Sequence, residues 1–342
     1  MRIRTLAIAA LAALGLAGPA PARAQGEVVV YCSVLVDWCN LMAQEFTRAT
    51  GVRVTMNQKG SGESFAQIRA EAANPRGDVW WGGTGDPHLQ AAEAGLTEEY
   101  RSPTLPQLHD WAQRQAQQSG FRTVGIYAGA LGFTYNTQAL ARGNMPEPRC
   151  WRDLLQPQFR GEIQMSNPPS SGTAYTVLAT LVQLWGEDEA FAYLRRLHPQ
   201  INQYTRSGPA PARNAARGET TVGIMFLHDA VAEALEGSPL RVVAPCEGTG
   251  YEIGSMSIIK DARNLENAKK FYDWALTPAP QSLGAQNKQL QTPSNKSTPM
   301  PKMGVDLSTT KLINYDFAKY GSSAERNRLL AKWDKEVKSQ PK

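Results

Sequence analysis

Residues 28–81 read VVVYCSVLVDWCNLMAQEFTRATGVRVTMNQKGSGESFAQIRAEAANPRGDVWW, and this stretch decides the fold class. Its β-branched and aromatic runs predict strands, and the segments between them carry apolar residues at helical spacing. The alternation is typical of an open α/β sheet with helices on both faces and a ligand crevice at the carboxyl ends of its strands. The predicted strands are residues 28–31, 52–56 and 78–81, and the predicted helices are 41–49 and 65–73.

Two extended runs, residues 124–136 and 253–259, predict that the chain crosses between two lobes. The first run would carry the chain out of an N-terminal lobe and the second would return it, so a cleft is expected between the lobes. The predicted N-terminal lobe is residues 25–130 and 252–300, and the C-terminal lobe is residues 131–251 and 301–342. Further predicted elements are helices at 105–118, 173–185 and 188–197, strands at 162–165, 221–226 and 240–244, and a surface loop at 292–302.

The N-terminus has the order of a secretory signal peptide, predicted for residues 1–24. Arg2 and Arg4 precede an apolar run at 6–17, and Ala22-Arg23-Ala24 forms a cleavage site. Removing these three arginines lowers the net charge from +5 to +2, so a nucleic-acid partner is not expected. No apolar run of about 18 residues is present, which excludes a polytopic membrane protein. We expect a free protein in the periplasm.

Four cysteines allow three disulfide pairings in an exported chain. Cys32 and Cys39 are seven residues apart, at the end of one element and the start of the next, which favours a local disulfide. Cys150 would then pair with Cys246. A metal-thiolate site is disfavoured because the sequence has no CxxC and its four histidines are scattered, so neither a metal nor a cofactor is expected.

Glycine- and serine-rich turns at residues 60–64 and 168–173 each separate a strand from a helix. Small residues expose backbone N–H groups there, and a helix N-terminus favours an anion. One such turn falls in each predicted lobe, so both could face a single oxyanion. Residues 82–86 form a third turn of this kind. The competing interpretation is ordinary helix capping.

His228-Asp229 follows the predicted strand at 221–226, and Glu252 precedes the second crossing run. Carboxylates accept hydrogen bonds from vicinal sugar hydroxyls, and an imidazole can serve as a third partner. The alternatives are a capping Asp229 beside a half-buried His228, and acid and base roles in a hydrolase. No G-x-S-x-G elbow, Walker loop or H-E-x-x-H motif is present, so binding is favoured and no catalytic residue is predicted.

Several segments together resemble the extracellular solute-binding proteins of ABC importers, including the branch of ferric-iron binders. They are VVVYCS at 28–33, GSGES at 60–64, NPRGDVWWGG at 74–83, CWRDLL at 150–155 and SSGT at 170–173. True iron members use adjacent tyrosines, and this sequence has no Tyr-Tyr pair. His228, Asp229 and Glu252 match the sugar contacts of the branch's sugar-phosphate-binding members in type and order.

This resemblance implies a two-lobe periplasmic binding protein fold of type II, with a mainly parallel sheet in each lobe and two crossover strands. It also implies a monomer that closes on a sugar phosphate and is recognised by an ABC permease. Another small anion, such as a phosphonate, an organophosphate or a ferric complex, remains an alternative, as does a periplasmic sugar-phosphate hydrolase. The expected phosphate contacts, chosen by their place at strand ends and helix starts, are Ser33, Ser61, Gly62, Thr84, Ser171, Gly172, Thr173 and Ser207.

Overall fold

A computed structural model describes residues 26–342, so the predicted signal peptide lies outside the described residues. The strands are β1 (Glu27–Cys32), β2 (Arg53–Gln58), β3 (Val79–Thr84), β4 (Val124–Asn136), β5 (Ile163–Ser166), β6 (Ile201–Thr205), β7 (Val222–Phe226), β8 (Leu240–Val243), β9 (Tyr251–Ile258) and β10 (Thr292–Pro293).

The helices are α1 (Val36–Thr50), α2 (Ser61–Ala70), α3 (Gly85–Glu93), α4 (Asp110–Gln118), α5 (Thr137–Arg142), α6 (Gly172–Trp185), α7 (Glu187–Leu197), α8 (Ala210–Ala216), α9 (Leu227–Leu235), α10 (Leu265–Ala275), α11 (Pro278–Gln286), α12 (Phe317–Tyr320) and α13 (Ser323–Trp333). Short 3-10 helices lie at Leu105–Gln107, Trp151–Leu155, Pro157–Phe159 and His198–Gln200, and a π-helical turn at Asp334–Lys338.

The strands form one mixed sheet in the order β2-β1-β3-β9-β4-β7-β5-β6, and β8 and β10 also pair with β4. Strands β1, β2 and β3 pair in parallel on one side, and β5, β6 and β7 do so on the other. The crossing strands β4 and β9 run antiparallel to their neighbours. This α/β architecture, with two strands joining two parallel halves, confirms the predicted fold class.

The fully buried strand β4 shows how the crossing works. Residues 124–130 pair with β9, whereas residues 131–135 pair with β7. A different hydrophobic core packs against each half of the sheet. Val30, Phe46 and Phe271 belong to the core beside β1 and β3, and Phe133 and Trp333 belong to the core beside β5 and β7. The exact lobe boundaries stay a prediction.

Both predicted disulfides are confirmed. Cys32–Cys39 joins the end of β1 to α1, and Cys150–Cys246 spans 96 residues. Closing a long loop restrains the unfolded chain most, which is why the second link is expected to matter more for stability. Within residues 26–342, no helix is both long and apolar enough to cross a membrane.

The predicted helix at 105–118 was wrong in its first half. Residues Leu105–Gln107 form a 3-10 turn, and α4 begins only at Asp110. Leu108 lies between them, fully buried and extended, where it pairs with Asn295. This tertiary pairing overrides the helical pattern.

The predicted loop at 292–302 begins with the short strand β10, which pairs with β4.

Candidate functional site

A cleft, partly open to solvent, lies at the carboxyl ends of β1, β3, β5, β6 and β7. The fold therefore collects residues from both halves of the sheet, as expected for a crevice of this topology. Ten of the eleven predicted site residues line the cleft: Ser33, Ser61, Thr84, Ser171, Gly172, Thr173, Ser207, His228, Asp229 and Glu252.

Gly62 does not line the cleft but allows its two walls to meet. A side chain on Gly62 would place its Cβ 2.7 Å from the backbone oxygen of Pro169, which belongs to the opposite wall. A Cβ on Gly172 would overlap Oγ1 of Thr84. Only glycine permits both approaches. As a result α2 and α6 begin at the same cavity, one from each half of the sheet.

The first turns of α2 and α6 form an end of the cleft suited to an anion. Helix N-termini leave backbone N–H groups without intrahelical partners, and the helix dipole adds partial positive charge there. The side chains of Glu63 and Arg206 pair at the mouth of this end, which neutralises the arginine. Neutral donors therefore dominate this part of the cleft.

The serine hydroxyls at this end are arranged to donate. Ser61 Oγ accepts the backbone N–H of Thr84 at 3.2 Å, and Ser171 Oγ accepts the hydroxyl of Ser166 at 2.9 Å. Ser33 Oγ accepts the indole N–H of Trp80 at 2.9 Å and also contacts Ser64. A hydroxyl has a single proton, so one that already accepts from the protein keeps its proton for another acceptor. An anion is such an acceptor.

His228, Asp229 and Glu252 form the other end of the cleft. The first two lie in the first turn of α9, directly after β7, and Glu252 is the second residue of β9. Nε2 of His228 lies 3.7 Å from Oδ1 of Asp229 and 3.8 Å from Oε1 of Glu252. All three side chains are buried, and Nδ1 of His228 has no hydrogen-bond partner. His228 and Asp229 lie at the carboxyl end of a strand, as their position in the sequence predicted.

Below about pH 7, burial keeps this cluster largely uncharged. It lowers the pKa of His228 to about 3 and raises the pKa of Asp229 to about 7. Burial, together with the neighbouring carboxylates of Asp229 and Asp86, raises the pKa of Glu252 well above its usual value. The contacts of His228 are therefore not ion pairs. A neutral imidazole and a protonated carboxyl each both donate and accept, which matches the two-sided hydrogen bonding of a sugar hydroxyl.

The raised pKa of Asp229 predicts how the free protein responds to pH. Between about pH 4 and 7 the folded state holds a proton that the unfolded state has lost, so this residue lowers stability as the pH rises. Asp229→Asn removes that effect. We expect the variant to gain roughly 2–3 kcal/mol of unfolding free energy relative to the wild type between pH 5 and pH 8. Denaturant unfolding at both pH values measures it.

The exposed residue Asp334 supplies the control for this experiment. Asp334→Asn should leave the difference from the wild type nearly the same at pH 5 and pH 8. A constant difference for Asp229→Asn as well would show that the Asp229 carboxyl does not titrate with a raised pKa.

Several residues that line the cleft were not predicted from the sequence. Tyr127 lies in β4 and its hydroxyl accepts the backbone N–H of Gly83 at 2.9 Å, and Lys59 directly precedes the turn at 60–64. The position of Lys59 beside that turn is a signal that could have identified it. Gly60 and Gly83 lie within the predicted turns at 60–64 and 82–86, and Phe226 ends the predicted strand at 221–226. No local signal marks the others, which reach the cleft through tertiary packing. These are Val34, Leu35, Gln58, Gly208, Pro209, Gln289 and Gln291.

The fold and cleft are those of a solute receptor, and sequence comparison agrees. The model of the bacterial extracellular solute-binding protein family matches residues 84–320, and the chain belongs to this family. An uncharacterized Haemophilus influenzae protein is 48% identical over 96% of each chain. A proposed 2-aminoethylphosphonate-binding periplasmic protein of Salmonella typhimurium is 26% identical over 99% of this chain and 100% of its own.

Solved structures also resemble the chain. The periplasmic binding protein AfuA from Actinobacillus pleuropneumoniae, with exogenous fructose 6-phosphate bound, is 50% identical with a TM-score of 0.90, covering 92% of this chain and 100% of that chain. The periplasmic binding protein P5PA is 40% identical with a TM-score of 0.89 over the same shares. A ferric binding protein from Campylobacter jejuni, 18% identical with a TM-score of 0.74 over 90% of this chain and 98% of that chain, shares the fold.

Proposed function

We propose that this chain is a periplasmic receptor that delivers a phosphorylated sugar, with a hexose phosphate as the favoured ligand, to an ABC permease. The observation that carries the proposal is the two-ended cleft. Donating hydroxyls and two helix N-termini lie at one end, and a buried His-Asp-Glu cluster lies at the other. A hexose phosphate has the complementary halves, an anion and a ring of hydroxyls.

The anionic half of the ligand would lie against the starts of α2 and α6. Ser61 and Ser171 would donate their remaining hydroxyl protons to phosphate oxygens, and the free N–H groups of the first helical turns would add further donors. Phosphate held mainly by neutral donors can be bound and still released to a permease.

The ring would lie against His228, Asp229 and Glu252, whose unsatisfied hydrogen-bonding capacity is costly in a buried site. Ring hydroxyls would satisfy it. The fructose 6-phosphate bound by AfuA supports this assignment, because that protein shares half of its residues with this chain.

Closure of the cleft would turn binding into a signal. The N-terminal turn of α2 meets the loop before α6, and a second contact pairs Lys288, which follows α11, with Glu236, which follows α9. A ligand that touches both walls stabilises the closed form over the open form by these extra contacts. We propose that the permease binds the closed form.

Isothermal titration calorimetry against a ligand panel tests this function. We expect glucose 6-phosphate or fructose 6-phosphate to bind at least about a hundredfold more tightly than inorganic phosphate, free glucose or ferric citrate, since each of these engages only part of the cleft. The panel includes 2-aminoethylphosphonate because the Salmonella typhimurium relative carries that name. Tighter binding of the phosphonate than of every sugar phosphate would replace the proposal with that second function.

The same samples separate a receptor from a hydrolase. Glucose 6-phosphate should raise the unfolding temperature of the protein by linkage while no inorganic phosphate appears in solution. Steady phosphate release at a rate that Glu252→Gln abolishes would identify the chain as an enzyme.

A further inference from the structure

Two cations lie near the anionic end of the cleft, and they differ in one respect. Arg206 is paired with Glu63, so its charge is already compensated. Lys59 forms no ion pair with any residue of the described range 26–342. Its ammonium group instead donates to the neutral side-chain oxygen of Gln67. Lys59 therefore presents an uncompensated positive charge.

The position of Lys59 places that charge in the wall of the cleft. Among the described residues that line the cavity, Lys59 is the single lysine or arginine. It is half-buried and directly precedes Gly60, the residue before the first turn of α2. A partly desolvated cation without an acidic partner is unfavourable unless an anion approaches it.

The ammonium group can reach such an anion without breaking its present contact. It has three N–H donors and uses one on Gln67, whose own amide group donates to Tyr31 and Glu71. Gln67 thus holds Lys59 against the wall and leaves two donors free. Among the described residues that line this end, the hydroxyls and helix N-termini are neutral or only partly charged, so Lys59 carries the one full positive charge in the lining.

From this geometry we infer that Lys59 is the residue by which the cleft selects a dianionic phosphate ester over a monoanionic ester of the same shape. The inference rests on the proposed function and deepens it. A full charge interacts with the total charge of the ligand, whereas the hydroxyl donors respond mainly to the positions of its oxygens. Removing the charge of Lys59 should therefore change selectivity as well as affinity.

Glucose 6-phosphate and glucose 6-sulfate provide the matched ligand pair, because both carry a tetrahedral oxyanion on the same atom but differ by one charge near pH 8. We expect the wild type to prefer the phosphate by at least about tenfold, and Lys59→Gln to reduce that preference to less than about threefold. Lys59→Arg should retain most of the preference. Calorimetry at pH 8 measures all of the affinities.

Lys270→Gln is the control, since Lys270 is exposed on α10 and lies outside the cleft. It removes one positive charge and should leave the preference unchanged. Thermal unfolding checks that Lys59→Gln is folded. If the wild type prefers the phosphate and the folded Lys59→Gln variant keeps that preference, the inference is wrong and the proposed function stands. If the wild type binds neither ester, the proposed function is wrong and the inference falls with it.

Discussion

Gly172→Val should weaken the binding of glucose 6-phosphate by more than about a hundredfold, equivalent to about 2.7 kcal/mol. Gly172 is the first residue of α6, and a Cβ there would overlap Oγ1 of Thr84 and lie 2.9 Å from its Cβ. Thr84 is buried at the end of β3 and cannot move aside cheaply. The substitution therefore separates the two helix N-termini that form the anionic end. Calorimetry with the purified variant measures the loss.

Gly143→Ala is the matched glycine substitution. Gly143 is exposed, and its added methyl group would meet only the flexible side chain of Met145. This variant should bind like the wild type. Gly172→Val should also unfold within a few degrees of the wild type, because the clash is confined to the cleft. Wild-type affinity in a folded Gly172→Val protein would show that close approach of the two walls is not required for binding.

The second large effect is expected at the end of the cleft that His228, Asp229 and Glu252 form. His228→Ala and Glu252→Ala should each weaken glucose 6-phosphate binding by more than about tenfold, or about 1.4 kcal/mol, because buried ligand hydroxyls lose their partners. The double variant should lose more than about a hundredfold. Binding of inorganic phosphate should change much less, since it uses the opposite end. Calorimetry with both ligands separates the two ends of the cleft.

His109→Ala and Glu219→Ala serve as controls of the same residue types, because neither residue lines the cleft. Both should retain wild-type affinity for glucose 6-phosphate. Undiminished affinity in both His228→Ala and Glu252→Ala would remove these residues from the sugar site. An equal loss for inorganic phosphate would instead show that the substitutions disturb the whole cleft.

The sequence predicted the α/β fold because its signals there are local. The β-branched runs at 28–31 and 221–226 form strands β1 and β7, and the extended, glycine-containing run at 124–136 forms the crossing strand β4. Both disulfides were predicted because pairing Cys32 with the nearby Cys39 left Cys150 to pair with Cys246. The break between Leu108 and α4 was missed because it depends on pairing with Asn295, nearly 190 residues away.

Part of the cleft could be predicted from the sequence, namely the residues that lie at strand ends and helix starts. Strand ends and helix starts are visible in a sequence, so Ser61, Ser171 and His228 could be placed at one crevice. Tyr127, Gln289 and Gln291 could not. Tyr127 lies within a strand whose residues are all buried, and the two glutamines follow α11 in a segment without a recognisable motif. Their place in the cleft follows only from the packing of distant elements.

A crystal structure of the protein with glucose 6-phosphate bound tests the central claim most directly. We predict phosphate oxygens within hydrogen-bond distance of Ser61, Thr173 and the first N–H groups of α2 and α6, and ring hydroxyls within the same distance of His228, Asp229 and Glu252. A ligand bound in the reverse orientation, or a ring that leaves all three of these side chains without contact, would contradict the account.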